Sequence, residues 1–290
     1  MLTIELLLNA VIAGILLGGF LAAASLGVTI SFGLLDVVNI AHPIFIVAGS
    51  YAAYIANSRL GLDPLLMGLL VSPLFYAAGL LLYRAYFTFF ERTGGQSLRG
   101  LLFFFGVLFL VEVGLIITFG VDYRLVEAPY LGESIHLGLA GIPFRLLVPC
   151  VVGVVMVLAV QQFLSRTYYG KAIKAVSQDS MAVRLMGGDP TRIKGMAFGV
   201  SLATAAIAGA LLIMISPVEP SLAREYIGRV FAISVLGGMG SIGGTLVAAI
   251  LIGVAESMTS TFYGPSWAPA VSFGILLLVF AVRPSGLFGR

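Results

Sequence analysis

Few residues in this chain could carry chemistry, and their pattern is not that of an enzyme. Its 290 residues include two histidines, one cysteine and 13 carboxylates. His42 and His136 are far apart, with no His-Glu-x-x-His pair and no cysteine cluster beside either, so metal-ligand spacing is missing. Cys150 lies in an apolar run, where it reads as a small core residue, and alone it excludes an internal disulfide. No G-x-x-x-x-G-K-[ST] occurs. The glycine cluster GGMGSIGG, 237–244, lacks the Lys-Ser/Thr ending and the preceding strand of a phosphate loop. The expectation is a non-enzyme with no metal and no cofactor.

The remaining polar residues sit where the chain is oiliest. DVVNIAHP, Asp36 to Pro43, follows some thirty almost wholly apolar residues. His42 precedes Asn57, at the far end of the next apolar run, by fifteen residues, roughly 22 Å if helical. Pro43 cannot donate its backbone proton and turns His42 away from helical angles, so a helix break is expected at membrane depth. Such breaks are tolerated where they are enclosed by protein or line a water-filled cavity, and they often mark a transport path. A plain connector between two helices, capped by Asn39, is the alternative. Glu112 and Glu256 each fall inside an apolar segment, where a carboxylate must face protein or a cavity. Each is read either as lining a path or as a hydrogen-bonded link between helices. Asn39, His42, Glu112, Gly237, Gly238 and Gly240 are therefore the candidate path residues.

The elements that must position them are membrane helices. The chain is 60% hydrophobic and 10% charged, with a mean hydropathy of +1.09. Soluble domains carry roughly a quarter charged residues. Apolar segments of near-spanning length occur at 6–31, 37–57, 64–88, 100–120, 146–164, 194–216, 227–260 and 267–282, the seventh interrupted by glycines. Their continuity argues against a β-barrel. The fold expected is all-α, one polytopic transmembrane bundle over 1–290 with about eight membrane segments and broken or re-entrant helices. No cleavable leader is evident, so the first segment is expected to remain a membrane helix.

Eleven of the 16 basic residues fall in loops 84–100 and 165–194 and in the tail. By the positive-inside rule these are cytoplasmic, with the N-terminus outside and the C-terminus inside. That orientation needs an odd number of crossings, so segment 227–260 either crosses twice or enters and returns. The net charge of +3 reflects this asymmetry, not a nucleic-acid surface. In the long external stretch 121–145, the alternation in ESIHLGLAGIPF suggests a short hairpin or an interfacial helix, and His136 reads as a solvated loop residue.

The most polar stretch is 165–194. Ser177 or Asp179 can cap a short helix, Ser180 to Met186, which Gly187 and Gly188 end. Asp189 then caps the next helix, with Pro190 at its first position. A seven-residue helix is not stable alone. Ser180, Met181, Ala182, Val183, Arg184, Leu185, Met186 and Gly187 are read as a docking element, an apolar plug with a charged rim, or else as a connector resting on the membrane.

Four stretches carry a family resemblance. FGLLDVVNIAHPIFIVAGSYAAY, GKAIKAVSQDSMAVRLMGGDPTRIK, VLGGMGSIGGTLVAAILIGVAES and VRPSGLFGR resemble, in order, signatures of the permease subunits of branched-chain amino acid ABC importers. The resemblance implies a pore of two permease subunits, two cytosolic ATPase subunits and an extracytoplasmic solute-binding protein, in the inner membrane of a prokaryote. It makes 180–187 the coupling helix toward the ATPase. Only Ala182 and Gly187 match the Glu-Ala-Ala-x-x-x-Gly loop of better-known importers, which implies a separate permease class. Permeases for urea and short amides share the family, and a passive channel is a further alternative.

Overall fold

The computed structural model describes residues 2–90, 96–137, 140–283 and 286–289. Arg92, Gly138, Leu139, Pro284, Ser285 and Arg290, which figured in the charge and motif readings, lie outside these. In chain order the elements are α1 (Leu2–Ser31), α2 (His42–Leu60), α3 (Pro64–Phe89), α4 (Gln96–Phe119), β1 (Ser134–Leu137), β2 (Ala140–Pro143), α5 (Phe144–Arg166), α6 (Tyr168–Gln178), α7 (Ser180–Leu185), α8 (Pro190–Ile215), α9 (Ala223–Gly237), α10 (Ile242–Tyr263) and α11 (Ala268–Val282), with short 3₁₀ turns before β1, α9 and α11.

Among the described residues, seven helices are long and apolar enough to cross a membrane: α1, α3, α4, α5, α8, α10, and α11 with its preceding turn. The more polar α2, 19 residues long, is not among them; eleven of its residues are buried against the other helices. The all-α, broken-helix architecture expected from the sequence is the one found.

Helix α8 forms the centre, packed on α3 and α2, while α1 packs on α10 and α5. Small residues let backbones touch at these crossings, the main source of tight packing where lipid removes the hydrophobic drive. A Cβ on Gly14 would stand 2.5 Å from Val254 Cα, and one on Gly18 would stand 2.6 Å from Ile250 Cα, so α1 and α10 run antiparallel. On the other side a Cβ on Gly79 would lie 2.8 Å from Gly199 Cα, joining α3 to α8. Helices α3, α4 and α11 turn most of their surface outward.

The contacts resolve how 227–260 crosses. Ser257 donates to Ala10 O at 2.7 Å, so α10 ends beside the start of α1. Gly240 meets Gly33 just past the end of α1, and Leu287 N donates to Leu236 O at 2.8 Å. Helix α9 therefore descends, the glycine turn reverses the chain, and α10 returns, leaving the two chain ends on opposite faces. At 15 residues α9 is about 22 Å long, short for a full span.

On the face holding the start of α1, β1 and β2 pair antiparallel, Ile135 opposite Ile142, so the alternating stretch forms the hairpin and not an interfacial helix. Gly141 N donates to Asn9 Oδ1, tying β2 to α1. Asp63 caps α3 through Leu65 N and also accepts from the Tyr130 hydroxyl at 2.7 Å. Burial and that bond hold the Tyr130 phenol well above its ordinary pKa.

One element was missed. Helix α6 was read as polar loop because Lys171, Lys174 and two tyrosines dominate it. Its apolar stripe, Gly170, Ile173 and Val176, recurs at helical spacing and is buried. Thr167 caps it through Gly170 N at 3.0 Å.

Candidate functional site

The break after α1 is tightly built. The chain leaves the helix at Ser31, and Asp36 adopts φ 56°, the left-handed region that aspartate tolerates better than most residues. The segment expected to begin at 37 becomes helical only at His42, with Pro43 in its first turn. Asn39 Oδ1 accepts from Ala41 N at 3.1 Å, closing the turn as a side-chain mimic of backbone. His42 Nε2 lies 3.2 Å from Ala24 O, and its ring occupies the space beside Gly27. Ala24 precedes the last residue of α1 by seven positions, so the His42 end of the break lies about 10 Å back along that helix from its end. Asn39 and His42 are both 0% exposed. Asn39 Nδ2 and the other ring nitrogen of His42, Nδ1, meet no protein partner among the described residues.

The second irregular element touches the first. A Cβ on Gly33 would stand 2.1 Å from Gly240 N. Just above this contact three buried hydroxyls join three helices: Thr29 Oγ1 lies 3.0 Å from Ser234 Oγ and 2.9 Å from Thr245 Oγ1. The C-terminal tail closes the turn from outside, with Gly286 packed on Gly238 and Val235 O. Gly237 packs on Gly244, and Gly240 borders a cavity of about 860 Å³ that α6 closes on the other side.

Glu112 and Glu256 are elsewhere, toward the opposite face. Glu112 on α4 is 1% exposed and receives both Arg224 Nε, at 3.3 Å, and Arg224 Nη2, from the start of α9. Glu256 on α10 is 3.0 Å from Arg229 Nε and accepts from Ser272 of α11. Arg229 also stacks over the Tyr226 ring, 5.0 Å from its centroid. A carboxylate in a low-dielectric interior must be paired, and each here holds α9 to a different neighbour. Nothing in the sequence alone marks Arg224 or Arg229 as their partners. A carboxylate inside a span was itself the signal that a cation had to reach it.

The segment expected to dock a partner forms a short helix, α7, Ser180–Leu185, with Met186 as its C-cap residue. Asp179, not Ser177, is the cap: its Oδ1 accepts from Met181 N at 2.8 Å and Ala182 N at 2.9 Å. Gly187 has φ 82° and ends the helix, and Asp189 Oδ1 caps α8 through Thr191 N at 3.0 Å. Met181, Leu185 and Met186 are 61%, 79% and 89% exposed. Ser180 Oγ donates to Val176 O at 3.1 Å, so α7 is joined directly to α6.

Seven candidate spans, enclosed helix breaks and a short capped helix held out from one face define a multi-pass helical membrane protein. Residues 10–280 match the family model described as branched-chain amino acid transport system, permease component. The chain belongs to this family. It is 29% identical to the high-affinity branched-chain amino acid transport system permease protein BraD of Pseudomonas aeruginosa, covering 98% of this chain and 96% of that protein. It is 28% identical to the corresponding LivH of Escherichia coli, over 96% and 94%. LivM of Salmonella typhimurium is 36% identical over a shorter match, 46% of this chain and 32% of that protein. No solved structure matches.

Proposed function

We propose that the chain is a permease subunit of an ATP-driven importer in the inner membrane of a prokaryote, moving branched-chain amino acids or similar small polar organic solutes into the cell. It would pair with a second, homologous permease, two cytosolic ATPase subunits and an extracytoplasmic solute-binding protein. The face bearing α6, α7 and the tail would be cytoplasmic, with the N-terminus outside. The observation that carries this reading is α7. Its caps fix its geometry, yet Met181, Leu185 and the cap residue Met186 leave most of their apolar surface exposed. An apolar plug so presented suits a groove on a soluble partner. Residues 180–187 are assigned to that contact.

ATPase closure would push α7, and α6 and α8, capped at either side of it, would carry the movement into the bundle. Around Asn39, His42, Gly237, Gly238 and Gly240 the chain offers helix ends and bare backbone, whose partial charges suit the two ends of a zwitterion, while Glu112, paired with Arg224, serves as a link between helices. Nucleotide hydrolysis by the purified complex tests the coupling role. Removing the apolar side chains of α7 is expected to abolish solute-stimulated hydrolysis, and unchanged hydrolysis would contradict it.

A further inference from the structure

Four of the five glycines between 237 and 244 are fixed by the fold. A Cβ on Gly237 would stand 2.6 Å from Gly244 C, one on Gly244 would stand 2.0 Å from Gly237 O, and Gly238 and Gly240 have φ of 95° and 79°. Gly243 has neither reason. It sits in the first turn of α10, and a Cβ there would meet only Gln161 Oε1, at 3.8 Å. A glycine inside a helix is destabilising relative to alanine. What it leaves bare is the wall of the 860 Å³ cavity between α5, α6 and the glycine turn.

The cavity falls in the roughly 300–1,000 Å³ range of small-molecule sites. Leu164 and Val247 give it an apolar wall, and Gln161, Lys174 and Ser241 give it a polar one. That division suits a small solute with an ionised end and an aliphatic body. We propose that this cavity is a solute vestibule on the α7 face, in which an aliphatic amino acid lies against Gly243, its carboxylate toward Lys174 and its side chain toward Leu164 and Val247. The assignment rests on the transport reading and goes beyond it, placing a solute subsite outside the enclosed Asn39–His42 turn. Lys174 belongs to α6, which runs through Asp179 into α7. One wall of the vestibule is thus tied to the docking helix.

The test uses the complete complex in proteoliposomes. Gly243→Ala, Gly243→Val and Gly243→Leu fill the cavity in steps, and the first carbon they add meets no backbone. Leucine uptake is expected to fall with side-chain size, by about tenfold or more for Gly243→Leu, while the complex still assembles and its melting temperature does not fall. Uptake independent of side-chain size would overturn the vestibule. Should these variants not assemble, Ser177→Cys decides. Its labelling by a charged thiol reagent is expected to slow in leucine and not in urea, and labelling indifferent to leucine would overturn the proposal. Wild-type complex that imports leucine with ATP while the Gly243 series is unaffected refutes the vestibule alone. Wild-type complex that imports neither a branched-chain amino acid nor another small polar solute with ATP refutes the transport reading beneath it.

Discussion

A side chain on Gly33 would stand 2.1 Å from the backbone nitrogen of Gly240, so the break that ends α1 and the turn that joins α9 to α10 are in backbone contact. Two irregular elements more than 200 residues apart in sequence thus form one structure, and neither can shift without the other. Gly33→Ala is expected to lower stability by about 1–3 kcal/mol, the usual cost of overpacking, and to reduce uptake in parallel. Gly106 and Gly114 on α4 have open space where a Cβ would go, so alanine at either should leave the melting temperature unchanged or higher. Thermal unfolding of the three variants in detergent compares them directly. Equal behaviour would show that the contact does not constrain the fold.

The Arg229–Glu256 pair should behave as a buried ion pair with both partners needed. Arg229→Met or Glu256→Gln alone is expected to cost about 3–5 kcal/mol, because each strands the other's charge or polar group. The double variant should recover much of the loss. A double-mutant cycle on thermal stability measures this, and strictly additive losses would mean that the 3.0 Å contact is not energetically coupled.

His42 is expected to hold the turn and not the solute, since its ring is enclosed and bonded to the Ala24 carbonyl. His42→Ala should destabilise the subunit by about 2 kcal/mol or more, through the emptied space and the lost hydrogen bond. The KM for uptake by the surviving complex should be unchanged. A raised KM with normal stability would instead place His42 on the solute.

Asp179→Ala removes the cap of a helix too short to persist without it, at a cost of about 1 kcal/mol. The permease itself should melt as before, because α7 buries no side chain in the bundle. Co-purification with the ATPase subunits should weaken, and Leu185→Asp should abolish it. Undiminished ATPase capture by Leu185→Asp would remove α7 from that contact.

The span pattern, the break at Asp36–Pro43 and the caps around α7 were legible because each is a local signal: apolar run length, a proline, an aspartate before a helix. The external hairpin was legible as one of two readings, since alternation alone does not set the fold of so short a segment. Helix α6 was not, because its buried stripe is only Gly170, Ile173 and Val176 and its lysines suggested loop. The partners of Glu112 and Glu256 were hidden for a different reason. Arg224 and Arg229 reach them from α9 across the bundle, a relation of tertiary contact that no spacing along the chain encodes. The same holds for the Thr29–Ser234–Thr245 hydroxyls and for Gln161, which matter only through what they face.

ATP-dependent uptake into proteoliposomes holding the complete complex, with labelled leucine and labelled urea measured side by side, tests the central claim most directly. Leucine should accumulate only when ATP is present on the α7 face, and Leu185→Asp should abolish it. Urea equilibration without ATP, insensitive to Leu185→Asp, would contradict the account and mark the chain as a passive channel.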